Sequence, residues 1–149
     1  MPSARVGAEL RRLVATRANR LCEYCLLHED DTYLGCEVDH ILSRKHGGLT
    51  REDNLAYACA PCNRSKGSDI ASLASDSGEL ARLYNPRGNR WTEHFRLAED
   101  GVTITPLTPI GWATVRLLGL NLDDRLLERT ALRDIGRYPP EAARALLGT

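Results

Sequence analysis

Near the start of the chain apolar residues fall at helical spacing: Val6, Leu10, Leu13, Val14, Ala18 and Leu21, with Arg5, Arg11 and Arg12 beside them. The pattern predicts a first helix over about residues 4–20, with Ser3 placed to cap it. Two short apolar runs follow, LGCEVDHI and NLAYAC, and both read as strands. Between them SRKHGGLTRED is loop-like, with Gly47-Gly48 as its turn. CAPCNRSKGSDIASL reads as a knuckle that opens a short helix, broken at Gly67. Ser, Gly, Asp and Asn then dominate from residue 69 to residue 90, which predicts a linker. WTEHFRL and VTITPL flank Glu99-Asp100-Gly101, the pattern of a hairpin with an Asp-Gly turn. Thr108-Pro109 opens a helix that runs to Leu118 and stops at Gly119. Asn121 is placed to cap a second helix containing Leu122, Leu126, Leu127 and Leu132, and Tyr138-Pro139-Pro140 precedes a last short one. The expected fold class is α+β. The expected organisation is a core with its N-terminal helix over 1–70, a linker over 71–90, and a hairpin with helices over 91–149.

Composition narrows this picture in two ways. Aromatic residues make up only 5% of the 149, so the core is mostly aliphatic and a small subdomain needs an added staple. Formal net charge is +0, so contact with phosphates must rely on local basic patches. Nearly all the basic residues are Arg; Lys45 and Lys66 are the lysines. The opening MPSARVGAELRRL has no long apolar run, and no stretch approaches a membrane span, which leads to the expectation of a cytoplasmic protein. In that compartment five cysteines point to metal binding in preference to disulfides.

Four of those cysteines form two knuckles, Cys22-x-x-Cys25 and Cys59-x-x-Cys62. A two-residue gap lets both sulfurs of a knuckle reach one ion, and two knuckles complete a tetrahedral thiolate set suited to Zn²⁺. Four protein ligands leave no open position, so the expected zinc is structural. Cys36 is left over and reads as a small core residue, and His28 as a solvated loop residue. Unconnected buried cysteines, or a redox pair at one knuckle, are the competing readings.

Within the long gap between the knuckles stands Asp39-His40, an acid directly before a histidine in an apolar run. Alone it reads as a satisfied structural pair. In order, the chain presents Cys22-x-x-Cys25, Val38-Asp39-His40-Ile41, His46-Gly47-Gly48, Asn54-Leu55, Cys59-x-x-Cys62-Asn63 and Lys66-Gly67. This series resembles the HNH endonuclease family in its four-cysteine zinc form. The later Asn85-Pro86-Arg87, Trp91, His94-Phe95 and Thr108-Pro109-Ile110-Gly111 also look like the tail of small stand-alone bacterial HNH proteins.

The resemblance implies a zinc-stapled ββα-metal core and metal-dependent hydrolysis of DNA that leaves 5′-phosphate and 3′-hydroxyl ends. His40 would be the general base, which suits an imidazole that titrates near neutral pH. Asp39 and Asn63 would hold a catalytic Mg²⁺ or Mn²⁺, and Asn54 would brace the loop and orient the histidine. Arg44, Lys45, His46, Arg64 and Lys66 are candidate DNA contacts, although a solvated charged face is the default for such residues. Neighbouring strand residues point to opposite faces, so the strand must end or twist at Asp39-His40 if both serve one phosphate. His94 reads as packing beside Trp91 and Phe95, and the C-terminal leucine stripes as scaffold. The rival reading is a zinc-stapled DNA-binding or interaction module without cleavage. Oligomeric state is left open.

Overall fold

The computed structural model describes residues 6–75 and 77–148. Helix α1 spans Ala8–Arg17, shorter than the predicted stretch. Ser3 lies outside the described residues, and Gly7 takes the N-cap position without a side-chain bond. Beyond the helix, Asn19 and Arg20 adopt φ values of 53° and 61°, left-handed geometry in which a right-handed helix ends.

Strand β1, Cys36–His40, pairs antiparallel with strand β2, Leu55–Cys59. Cys36 faces Cys59 and His40 faces Leu55 in this register. Helix α2, Ala60–Lys66, follows β2 without a loop: Cys59 is its N-cap and Pro61 sits in the first turn, where its missing N–H costs no bond. The hairpin has two covered faces. Val14 and Ala15 of α1 and its C-cap Ala18 pack on Leu55 and Tyr57, whereas Ala56 and Ala58 face the main core. A ββα unit preceded by a helix therefore stands where the sequence placed it.

The stretch expected as a linker instead carries a second hairpin, β3 (Ala71–Leu73) against β4 (Leu80–Arg82). Its strands are three residues long and half exposed, so the alternation was too short to stand out against Ser and Gly. Helix α3, Trp91–His94, is a single turn, and the hairpin predicted from WTEHFRL onward begins only after it. That hairpin pairs β5 (Phe95–Leu97) with β6 (Ile104–Pro106). The Asp-Gly turn is present: the Asp100 carboxylate accepts from the N–H groups of Val102 and Thr103, and Gly101 has φ 74°.

Helix α4, Pro109–Leu118, has both predicted caps. Thr108 Oγ1 accepts from Gly111 N at 3.1 Å, and Gly119 ends the helix in the left-handed conformation. The helix packs on both later hairpins and on α2. Gly111 permits this approach, since a Cβ there would lie 2.2 Å from the carbonyl oxygen of His94. Helix α5, Asp123–Asp134, is present, but Leu122 holds its N-cap position. Asn121 is not the cap; its amide is drawn to the backbone of Ile104, donating to O at 2.8 Å and accepting from N at 2.9 Å. Helix α6, Glu141–Leu147, closes the described chain.

One buried cluster runs from Leu21 through Tyr24, Leu27, Tyr84, Phe95 and Leu118 to Ala143. No helix among the described residues is long and apolar enough to cross a membrane. The fold is α+β, built of three small hairpins, six α-helices and three single turns of 3-10 helix among the described residues, and the four-cysteine cluster fits a zinc-stapled core.

Candidate functional site

The first knuckle is a tight loop after α1. Cys22 N donates to Leu27 O at 2.8 Å, Leu26 N donates to Cys22 O at 2.9 Å, and Leu26 takes φ 66°. The second knuckle is the junction of β2 and α2. Strand pairing and this loop bring Cys22, Cys25, Cys59 and Cys62 together, with all four sulfurs within 4.8 Å of one another and fully buried. Sulfurs held about 2.3 Å from one zinc ion in a tetrahedron stand ~3.8 Å apart. Cys25 Sγ and Cys59 Sγ are 3.7 Å apart. The donor set and its spacing thus fit a thiolate-bound ion such as zinc. Hydrogen bonding within the cluster, from Cys22 first, pushes the Cys59 thiol far up, whereas at Cys25 burial, which raises the pKa, is outweighed by hydrogen bonds from Cys22, Cys59 and Cys62 that hold it well down. Cys36 stands apart, half-buried on β1, and His28 Nδ1 accepts from Asp30 N in its own loop. Among the described residues the four cysteines are the only set of three or more metal-ligating side chains gathered in this way.

Strand β1 ends at His40, as two side chains serving one site would require. The register nevertheless separates them. His40 sits opposite Leu55, on the face that α1 covers, and Asp39 opposite Ala56, on the face of the main core. The His40 imidazole is partly exposed, and its Nε2 lies 2.9 Å from Thr50 Oγ1. Burial lowers its pKa below the ordinary imidazole value, against the raising effect of Asp39, which favours the neutral ring that a base must present.

Asp39 is 4% exposed. Lys66 Nζ stands 3.1 Å from its Oδ2 and 3.3 Å from its Oδ1, and Tyr24 Oη donates to Oδ2 at 3.0 Å. Burial pushes this carboxyl up, and Lys66 holds it down in opposition. Lys66 was expected on DNA. It is 2% exposed, and its ammonium also donates to the carbonyl oxygens of His40 and Ile41 at 3.1 and 3.2 Å, so it braces the end of β1 from within. Asn63 turns its amide to Glu37, Nδ2 donating to Oε2 at 2.7 Å. Asp39 and Asn63 are thus each engaged by another side chain, Lys66 and Glu37 respectively. Lys66 lies one helical turn beyond Asn63 in α2, a spacing that marks a common face, yet nothing in the sequence tells a buried ammonium from a solvated one.

Asn54 braces the loop between the strands. Its Oδ1 accepts from Leu42 N, and its Nδ2 donates to Leu42 O and Leu49 O, each at 2.9 Å. Gly48 lies against the same brace, where a Cβ would come within 1.7 Å of Leu42 O. Asn54 is tied to the end of β1 beside His40 by its carbonyl, which accepts from Ile41 N at 2.9 Å, and to the loop that carries Thr50 by its side chain. Asn54→Ala is expected to destabilise the protein by about 1–3 kcal/mol, because the Leu42 and Leu49 groups lose their partner. Urea unfolding checks the value.

Arg44, Lys45 and His46 form one exposed turn separated from β1 by three residues, and Arg44 also donates to Thr50 Oγ1 at 3.2 Å. Arg64 is exposed on α2. His94 is not near this constellation in contact terms: its Nδ1 lies 2.6 Å from Thr108 Oγ1, and its ring packs edge-on against Tyr84. Sequence reasoning missed Tyr24, Glu37 and Thr50, the partners that fix Asp39, Asn63 and His40.

No curated protein and no solved structure matches the chain. One family does, the HNH endonuclease, over residues 22–69, about a third of the chain. That stretch holds both knuckles, β1, β2, α2 and the Asn54 brace, and it is this part of the chain that is similar to the HNH endonuclease family.

Proposed function

We propose that the protein is a metal-dependent endonuclease that hydrolyses DNA phosphodiester bonds, with His40 as general base and a zinc bound at the four cysteines as a structural staple. The observation that carries this reading is the pairing of an HNH match with a partly exposed His40 at the open end of β1, held by Thr50 and followed, after three intervening residues, by an exposed basic turn. His40 would accept the proton of the attacking water, a task for which a neutral ring is needed. Asn54 would act as a positioning residue, holding the loop that carries Thr50. Arg44, Lys45, His46 and Arg64 would meet phosphates. A second ion, Mg²⁺ or Mn²⁺, supplies charge neutralisation at the phosphate when bound. Asp39 and Asn63 are the residues proposed to hold it, and Lys66 must then give up Asp39. Five unpaired cysteines suit a reducing cytoplasm. In this reading residues 1–70 carry the chemistry and the later residues support it.

The closed Asp39–Lys66 pair favours a second reading, a zinc-stapled DNA-binding module without cleavage. Plasmid incubated with purified protein and Mg²⁺ or Mn²⁺, beside a His40→Ala variant, separates the two. Cleavage by the native chain alone supports the nuclease; cleavage by neither supports the module. Equal cleavage by both would overturn the role of His40. In either reading, Arg44→Ala and Lys45→Ala should weaken DNA binding across all sequences. Each should flatten the slope of log affinity against log salt by about 1, as measured by fluorescence anisotropy.

A further inference from the structure

Arg125 is 5% exposed, on α5, far along the chain from the family segment. Its side chain does not turn to a carboxylate for its hydrogen bonds. Nη2 donates to Cys62 Sγ at 3.5 Å and to Cys59 Sγ at 3.6 Å. Two further groups from the same end of the chain reach the first knuckle. Tyr138 Oη donates to Cys25 O at 2.7 Å, and Trp91 Nε1 donates to Tyr24 O at 2.9 Å, both in buried surroundings.

Four thiolates around a divalent ion carry two net negative charges. Held away from water, that charge is costly unless donors and cations offset it. A guanidinium is always charged and presents several donors in a fixed plane. Bonds from such a donor to an ionised sulfur are of the stronger, charge-assisted kind. We infer that Arg125 is an outer-shell residue of the zinc centre: it retains the metal by hydrogen-bonding the Cys59 and Cys62 thiolates and offsetting their charge, so that residues outside the family segment complete the site. The inference rests on the reading that the four cysteines hold zinc.

Outer-shell substitutions at metal sites typically cost about 10–100-fold in metal affinity or activity. The test uses the full chain, loaded with zinc, and follows metal transfer to a chromogenic chelator at fixed pH. Arg125→Met should release zinc about 10-fold faster than the native chain, with faster alkylation of the cysteines. Arg125→Lys, which keeps a charge and a donor, should recover a substantial part of the difference. Arg129→Met serves as the control. Arg129 is equally buried on the same helix but donates to the carbonyls of Val102 and Leu120. Zinc release from Arg129→Met as fast as from Arg125→Met would overturn the inference, since general loosening of α5 would then explain both. An unchanged rate in Arg125→Met would overturn it while leaving the zinc reading intact. Should Arg125→Met not fold, Arg125→Lys decides alone: release at least about twofold faster than from both the native chain and Arg129→Met supports the inference, and release at the native rate, or no faster than from Arg129→Met, refutes it. A native chain that binds no zinc would end both readings together.

Discussion

Replacing Cys62 with serine is expected to yield a chain that holds no zinc and shows no cooperative melt. The four sulfurs are fully buried, and they join the loop after α1 to the junction of β2 and α2. A serine hydroxyl is a hard, un-ionised group and cannot replace a thiolate on zinc. Structural zinc contributes about 10–16 kcal/mol of apparent binding free energy in small zinc peptides near neutral pH. A whole domain has only about 5–15 kcal/mol of net stability. Losing the metal therefore removes as much as the fold has in hand. Metal content by atomic emission and melting by circular dichroism, with and without a strong chelator, check this. A native chain that melts at the same temperature after complete chelation would refute the staple.

His40→Ala is expected to reduce DNA cleavage by about 10²–10⁴-fold, the usual contribution of a positioned acid–base group. Fold and binding should survive the change. The imidazole is partly exposed at the last residue of β1, and its hydrogen-bond contact is to Thr50. The basic turn that follows is linked to the ring through Thr50, whose Oγ1 also accepts from Arg44. Binding by anisotropy within twofold of native, together with an unchanged melt, would place the loss in the chemical step. A variant that binds tenfold more weakly and melts early would instead make His40 a structural residue.

Much of the fold was legible because the decisive signals are local. Thr108 and Gly119 bracket α4 through their own backbone demands, and Asp100-Gly101 makes its turn with its own carboxylate. The cysteine pairs were legible because a two-residue gap has a direct geometric meaning. What escaped notice depends on partners distant in sequence. Residue 121 looks like a cap, but the open backbone of Ile104 attracts its amide. The β3–β4 hairpin is stabilised by α4 rather than by its own pattern. The same holds at the site. His40 and Asp39 could be picked out from an Asp-His pair inside a knuckle frame, whereas the fate of the carboxylate could not. It is settled by Lys66 and Tyr24, from 27 and 15 residues away, and only folding reveals that both are buried beside it.

Trp91, Arg125 and Tyr138 all reach back onto the two knuckles. The stretch with the family pattern is therefore not a portable cassette. Transplanted by itself into another protein, it would arrive with one flank of its sulfurs bared to oxidants and with Tyr24, Leu26 and Leu27 unclothed. A host that borrows it must bring a cover of its own.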